Sequence, residues 1–275
     1  MPAPASSAGL SGHALAVRDL NAGYRGVPVV RELNLEVRPG EVVALLGPNG
    51  AGKTTTLETI AGLNRPISGT VELSGEGIGG KPAHILARRG IALVPEGRAL
   101  FPGLTVHEHL RLAGGRGRGR GAAGNGPGNR PGNRPGNRPG NRPGNRQGTE
   151  DELLEMLPEL RKCLGRKAGL LSGGEQQMLA VGRALVTRPR LLLVDEMSLG
   201  LAPVIVERLL PILRRAASEL GSSVLFVEQH VALALEISDR AYILAHGRIR
   251  LEGTAAELRG RRELLAASYL GETAA

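Results

Sequence analysis

The run Gly47-Pro48-Asn49-Gly50-Ala51-Gly52-Lys53-Thr54 follows the apolar stretch Val42–Leu46 and opens a helix-forming segment at Lys53. It constrains the fold more than any other feature, because Gly-x4-Gly-Lys-Thr needs a strand–loop–helix turn, the P-loop context. Glycines there let backbone N–H groups converge on phosphate oxygens at a helix N-terminus, whose dipole also favours anions. In that geometry Lys53 contacts the β- and γ-phosphates of a nucleotide, and the Thr54 hydroxyl takes a Mg2+ position. Thr55, next in the chain, completes the candidate nucleotide-binding run.

A second anion site lies far downstream. Leu171-Ser172-Gly173-Gly174-Glu175-Gln176-Gln177 places a serine, two glycines and a Ser-x-x-Glu capping pair at the head of another helix. One chain has no need of two γ-phosphate sites, so the economical expectation is that Leu171–Glu175 completes the pocket of a second subunit. Beyond both, Leu191–Val194 reads as a buried strand ending in Asp195-Glu196. Asp195 at its tip is placed to hold Mg2+ through a water, and Glu196 to act as general base or to position the attacking water. His230 follows the strand Val224–Val227 and is a candidate sensor of the γ-phosphate. Tyr24, in the glycine-flanked segment Ala22–Gly26, is a candidate for stacking on adenine.

The organisation around these motifs is βα alternation. Strands are expected at 14–20, 33–37, 42–46, 70–73, 91–94, 191–194, 224–227, 241–244 and 248–251. Helices are expected at 53–62, 150–164, 176–187, 203–220 and 261–270, with capping-box starts at Thr105, Thr149 and Ser172. Aromatics make up only 2% of the 275 residues, so the core must be aliphatic. Cys163, the single cysteine, excludes an internal disulfide and suits a reducing compartment. No basic-then-apolar leader opens the chain, and no run approaches the length needed to span a bilayer.

The formal net charge of +9 invites a nucleic-acid reading, but its source is local. Residues 114–148 carry eight arginines and no acid, ending in five Pro-Gly-Asn-Arg units from Pro127 to Arg146; without them the net charge is +1. Proline and glycine in every unit forbid a regular helix or ladder strand, so 116–148 is predicted to be disordered. Specific nucleic-acid binding is not expected.

Together these residues resemble an ATP-binding cassette (ABC) ATPase, over all of the chain except 1–12 and 116–148. The order P-loop, Q-loop, signature, Walker B strand, D-loop and switch histidine is matched by Gly47–Thr54, Glu96, Leu171–Glu175, Leu191–Glu196, Ser198–Leu201 and His230. Val94–Arg98, Leu171–Met178, Ser198–Pro203 and Tyr269–Gly271 narrow the resemblance to ATPases of branched-chain amino-acid transporters, the shorter of the two paired subunits, with urea-transporter subunits as neighbours.

The resemblance implies an α/β P-loop NTPase fold with an antiparallel β subdomain and a helical signature subdomain near 97–187. It implies one ABC ATPase domain over 13–272, with flexible tails at 1–12 and 273–275. ATP and Mg2+ are the implied cofactors, with Thr54, Glu96 and Asp195 around the metal and Glu196 and His230 catalytic. Implied partners are a second ABC ATPase subunit, two membrane permease subunits and an extracytoplasmic solute-binding protein, with the chain cytoplasmic and peripheral on the inner face of the cell membrane. Three departures stand out: Glu96 replaces the usual glutamine, Met197 replaces the usual proline after Glu196, and the Arg/Gly/Pro-rich insertion interrupts the helical subdomain between Q-loop and signature. A soluble ABC ATPase acting on RNA or ribosomes is the contrasting class; it normally needs a second cassette or long coiled coils, and neither is present.

Overall fold

The structure is a computed structural model and describes residues 12–114 and 146–261. Its centre is a six-stranded sheet of β3 (Val42–Leu46), β6 (Ile91–Val94), β7 (Leu191–Val194), β8 (Ser223–Glu228), β9 (Arg240–Ala245) and β10 (Arg248–Thr254), in the order β10-β9-β3-β8-β7-β6. All neighbours are parallel except the edge pair β9 and β10. The continuous apolar runs exist because both faces of this sheet are covered. Along β3, Val42, Ala44 and Leu46 enter one core cluster while Val43 and Leu45 enter another, as the twofold alternation of a strand requires.

On one face lies an antiparallel sheet of β1 (Leu15–Tyr24), β2 (Val27–Val37), β4 (Pro66–Leu73) and β5 (Glu76–Gly77), in the order β2-β1-β4-β5. The helices α1 (Lys53–Ile60) and α2 (Ala83–Arg88) bury Leu57, Ile60 and Leu86 in the same cluster. On the other face pack α3 (Val106–Ala113), α4 (Arg146–Met156), α5 (Pro158–Arg161), α6 (Gly173–Leu185), α7 (Pro203–Leu220), α8 (Val231–Ile237) and α9 (Ala255–Arg259). Gly182, in the last turn of α6, makes that packing close: a Cβ there would meet Leu160 at 3.1 Å and Leu157 at 3.2 Å.

A backbone clasp closes the helical region. Val106 N–H donates to the Arg166 carbonyl, His107 to Leu164, Ala168 to Leu104 and Gly169 to Pro102, at 2.8–3.1 Å, around an antiparallel Thr105–Lys167 bridge. The chain entering α3 is thereby tied to the chain leading into α6.

Several expectations change. The helix predicted at 150–164 is two helices, broken at Leu157 (φ −127°, ψ 66°). Pro158 is the cause, since it lacks an N–H and disfavours helical geometry in the residue before it. Thr149 does not start a helix: α4 begins at Arg146, inside the stretch predicted to be disordered, and Thr149 falls within it. Residues 115–145 lie outside the described residues, as do 1–11 and most of the helix predicted at 261–270. Tyr24, in its glycine-flanked segment, is the last residue of β1. The capping boxes predicted at Thr105 and Ser172 form, and a third, Thr254 with Glu257, starts α9.

Candidate nucleotide site

The loop Gly47–Gly52 leaves the C-terminal end of β3, next to the middle strand of the parallel run, and enters α1. Its glycines are dictated by space and backbone. A Cβ on Gly47 would lie 2.1 Å from the Leu244 carbonyl oxygen, and Gly52 caps α1 at φ +106°, a region that L side chains rarely enter. No side chain caps α1 and no acid stands in its first turn, so the positive helix end faces the loop unneutralised. Ala51 is buried, Pro48 is half-buried, and Asn49 and Gly50 are exposed on the turn.

Lys53 is 4% exposed, yet its Nζ is fully engaged. It donates to the carbonyls of Gly47 and Pro48, each at 3.0 Å, and lies 3.2 Å from Glu196 Oε1. The Thr54 hydroxyl donates to Asp195 Oδ1 at 3.2 Å, joining α1 to the tip of β7. Thr55 donates to the Tyr24 hydroxyl at 3.4 Å, and that hydroxyl donates to Glu58 at 2.9 Å. The phenol oxygen of Tyr24 is thus anchored on α1, while the side chain as a whole remains about half exposed at 51%.

Asp195 carries the strongest electrostatic anomaly here. Burial pushes its carboxyl up to about 6; the Thr54 hydroxyl works against this, and the Glu196, Glu96 and Glu58 charges add to it. A buried carboxylate with acidic neighbours favours a cation. Among the described residues no three His, Cys, Asp or Glu side chains converge as a metal cage. The donor set is one buried carboxylate and one hydroxyl, with Glu96 exposed on the loop after β6. Hard oxygen donors in this number fit Mg2+, which keeps waters and takes phosphate oxygens for the rest of its octahedron.

Glu196 sits in the left-handed region at φ +40°, costly for a residue with a Cβ. Its N–H donates to the Val227 carbonyl at 3.2 Å, and its Oε2 accepts from Gln229 Nε2 at 2.8 Å. Gln229 was not among the candidate residues of the motif pattern, whereas its neighbour His230 was. His230 is exposed at the start of α8, with no side-chain hydrogen bond among the described residues, whereas Gln229 reaches the carboxylate. Successive side chains beyond a strand point to opposite sides, and that alternation was the available signal.

The signature segment is built separately. Leu171 is buried, Ser172 is the N-cap of α6, and Gly173 and Gly174 form its first residues. Glu175 Oε2 accepts from the Ser172 N–H at 2.7 Å, and its Oε1 accepts from Arg166 at 3.0 Å. The Ser172 hydroxyl in turn accepts from the Glu175 N–H at 3.3 Å. A Cβ on Gly174 would meet Ile205 at 2.9 Å, so α7 leaves no space there. No hydrogen bond joins Leu171–Glu175 to Gly47–Thr55 among the described residues.

Two further links were invisible in the motif pattern. Arg98, beyond Glu96, donates to Gln177 and Gln176, each at 2.9 Å, and Arg183 donates to the Ala99 carbonyl, pinning the Glu96 loop to α6. Glu228, buried at the end of β8, accepts from the Ser198 N–H at 3.0 Å and its hydroxyl at 2.6 Å. Met197, in place of the usual proline, is buried in the core.

A profile described as ABC transporter matches residues 30–198. The high-affinity branched-chain amino acid transport ATP-binding protein BraG of Pseudomonas aeruginosa is 39% identical over 235 residues, covering 86% of this chain and 90% of that relative. The probable branched-chain amino acid transport ATP-binding protein LivF of Archaeoglobus fulgidus is 36% identical, covering 87% and 91%. A solved ATP binding subunit of an ABC transporter superposes with a TM-score of 0.73 at 28% identity, covering 94% of this chain and 98% of that one. Matching sequence, matching architecture and a phosphate loop facing two carboxylates lead to one conclusion: the chain belongs to the ABC transporter family and is a nucleotide-binding ATPase subunit of it.

Proposed function

We propose that this chain powers import of branched-chain or related amino acids, through membrane permease subunits that it does not itself contain. The observation that carries the substrate class is the likeness to BraG and LivF, at 39% and 36% identity over most of both chains. ATP lies with its adenine on Tyr24 and its phosphates against the Gly47–Thr55 backbone and Lys53. Mg2+, held by Thr54 and Asp195 with Glu96 nearby, supplies charge neutralisation on the phosphate oxygens when bound. Glu196 orients the attacking water and accepts its proton.

Leu171–Glu175 acts on the nucleotide of a second cassette. Two observations support this: the segment has no bond to its own phosphate loop, and the Gly173 and Gly174 N–H groups have no partner among the described residues. Closure of two cassettes around two ATP molecules drives two permease subunits between inward and outward states, and hydrolysis resets them. An extracytoplasmic binding protein delivers the solute, and the cassettes sit on the cytoplasmic face of the membrane. Among the described residues, no helix is long and apolar enough to cross that membrane.

Glu196→Gln tests the chemistry. Turnover should fall at least about a hundredfold, while ATP-dependent dimers persist on gel filtration; unchanged turnover removes Glu196 from its role. Urea or short-chain amides are the alternative solute, and an assembled transporter whose ATPase responds to urea but not leucine would select it.

A further inference from the structure

Glu196 is held from both sides of its carboxylate. Lys53 Nζ stands 3.2 Å from Oε1, and the Gln229 amide donates to Oε2 at 2.8 Å. An ionised carboxylate has no hydrogen to give, so the amide must present its nitrogen. The donor is neutral, which fixes the carboxylate's orientation without cancelling the charge that a base needs. The residue before it works in the opposite direction: the buried Glu228 accepts from both the N–H and the hydroxyl of Ser198, two residues beyond Glu196. Consecutive side chains at the end of β8 therefore grip both ends of the segment Glu196–Ser198. That grip over-determines the left-handed backbone of Glu196, at φ +40°, which an unconstrained residue with a Cβ would leave.

We infer that Gln229 is the positioning residue for Glu196. The inference rests on the proposed catalytic role of Glu196. It assigns Gln229 no contact with the nucleotide's ground-state binding groups, so its effect belongs on kcat and not on KM.

The test is a steady-state ATPase series on the full chain. Gln229→Ala should lower kcat about tenfold or more with the KM for ATP within about twofold of wild type. Gln229→His, which keeps a ring N–H donor, should recover most of that loss. Gln229→Glu keeps the size but sets a second carboxylate against Glu196 Oε2, and should fall below the alanine variant.

A Gln229→Ala kcat within twofold of wild type would overturn the inference, as would a Gln229→Glu variant as active as wild type. A variant that merely misfolds raises KM or loses ATP binding together with kcat, and that pattern also counts against positioning. Glu196→Gln separates the two levels: if it retains turnover, the role of Glu196 itself fails. If it is inactive while Gln229→Ala is normal, only the positioning role fails.

Discussion

Helices α1 and α6 both start on glycine turns, but their N-termini treat negative charge in opposite ways. Helix α1 has a glycine cap, no side-chain cap and no acid in its first turn, with Lys53 folded over the loop. Helix α6 brings its own anion: Glu175 closes a capping box with Ser172, and Arg166 pairs with the other carboxylate oxygen. The first end is left for a ligand to complete, and the second is largely complete by itself, needing only an approach to Gly173 and Gly174. The associated carboxylates shift in opposite directions. Burial raises Asp195 to about 6, whereas the Ser172 N–H holds Glu175 below its usual value. An asymmetric pair of this kind suits one site that binds nucleotide and one that only joins a site already filled.

Removing the cation at α1 should have the largest effect. Lys53→Ala takes away the buried ammonium of the phosphate loop and should reduce turnover about a thousandfold, measured as phosphate release. A variant retaining more than a tenth of wild-type activity would show that the α1 end works without its charge.

The pH dependence of Asp195 comes next. Its folded value of about 6 lies above the ordinary 3.8, so the fold favours the neutral form. That contribution is fully present below about 3.8 and is lost as pH rises through about 6, to a total on the order of 3 kcal/mol. Without nucleotide or divalent cation, Asp195→Asn should therefore raise stability at pH 8, and the gain should shrink toward pH 5. Denaturant unfolding across that range checks it, and a gain independent of pH breaks the assignment. For Glu175 the sign reverses, because a lowered value stabilises above the ordinary carboxylate range and is lost as pH falls.

The smallest effect belongs to the compensating cation at α6. Arg166 and Glu175 are both partly exposed, so their pairing adds little to stability. In the proposed two-cassette assembly its use is to cancel a carboxylate where a partner's phosphate would come. Arg166→Ala should raise the ATP concentration needed for dimerisation about threefold, and in an E175Q background the same change should have no further effect. An equal shift in both backgrounds would mean that Arg166 acts by bracing the Leu170 carbonyl, to which it also donates at 2.6 Å.

Much of this arrangement was legible before any coordinates. The strands 42–46, 91–94 and 191–194 were readable because parallel strands buried on both faces leave unbroken apolar runs. The phosphate loop was readable because its glycines answer to steric limits that no other residue meets. The rest escaped for two physical reasons. Short helices such as Ala83–Arg88 and Val231–Ile237 owe their existence to packing, and local pattern says little about them. Arg98, Arg166, Glu228 and Gln229 act on residues distant in sequence, and a long polar side chain shows its target only when the chain is folded. Gln229 went unnoticed for a related reason: a titrating ring such as the adjacent His230 draws attention that an amide does not.

The clasp between 102–107 and 164–169 also bears on inheritance. A tandem repeat of identical four-residue units is prone to gain or lose copies when its gene is replicated, and every such slip stays in frame. The repeat from Pro127 to Arg146 lies wholly between the two clasped segments. Both sides of the clasp keep their register whatever the copy number, so the Glu96 loop and the signature helix stay in step. Related lineages can therefore carry different repeat counts while one unchanged ATPase is passed on.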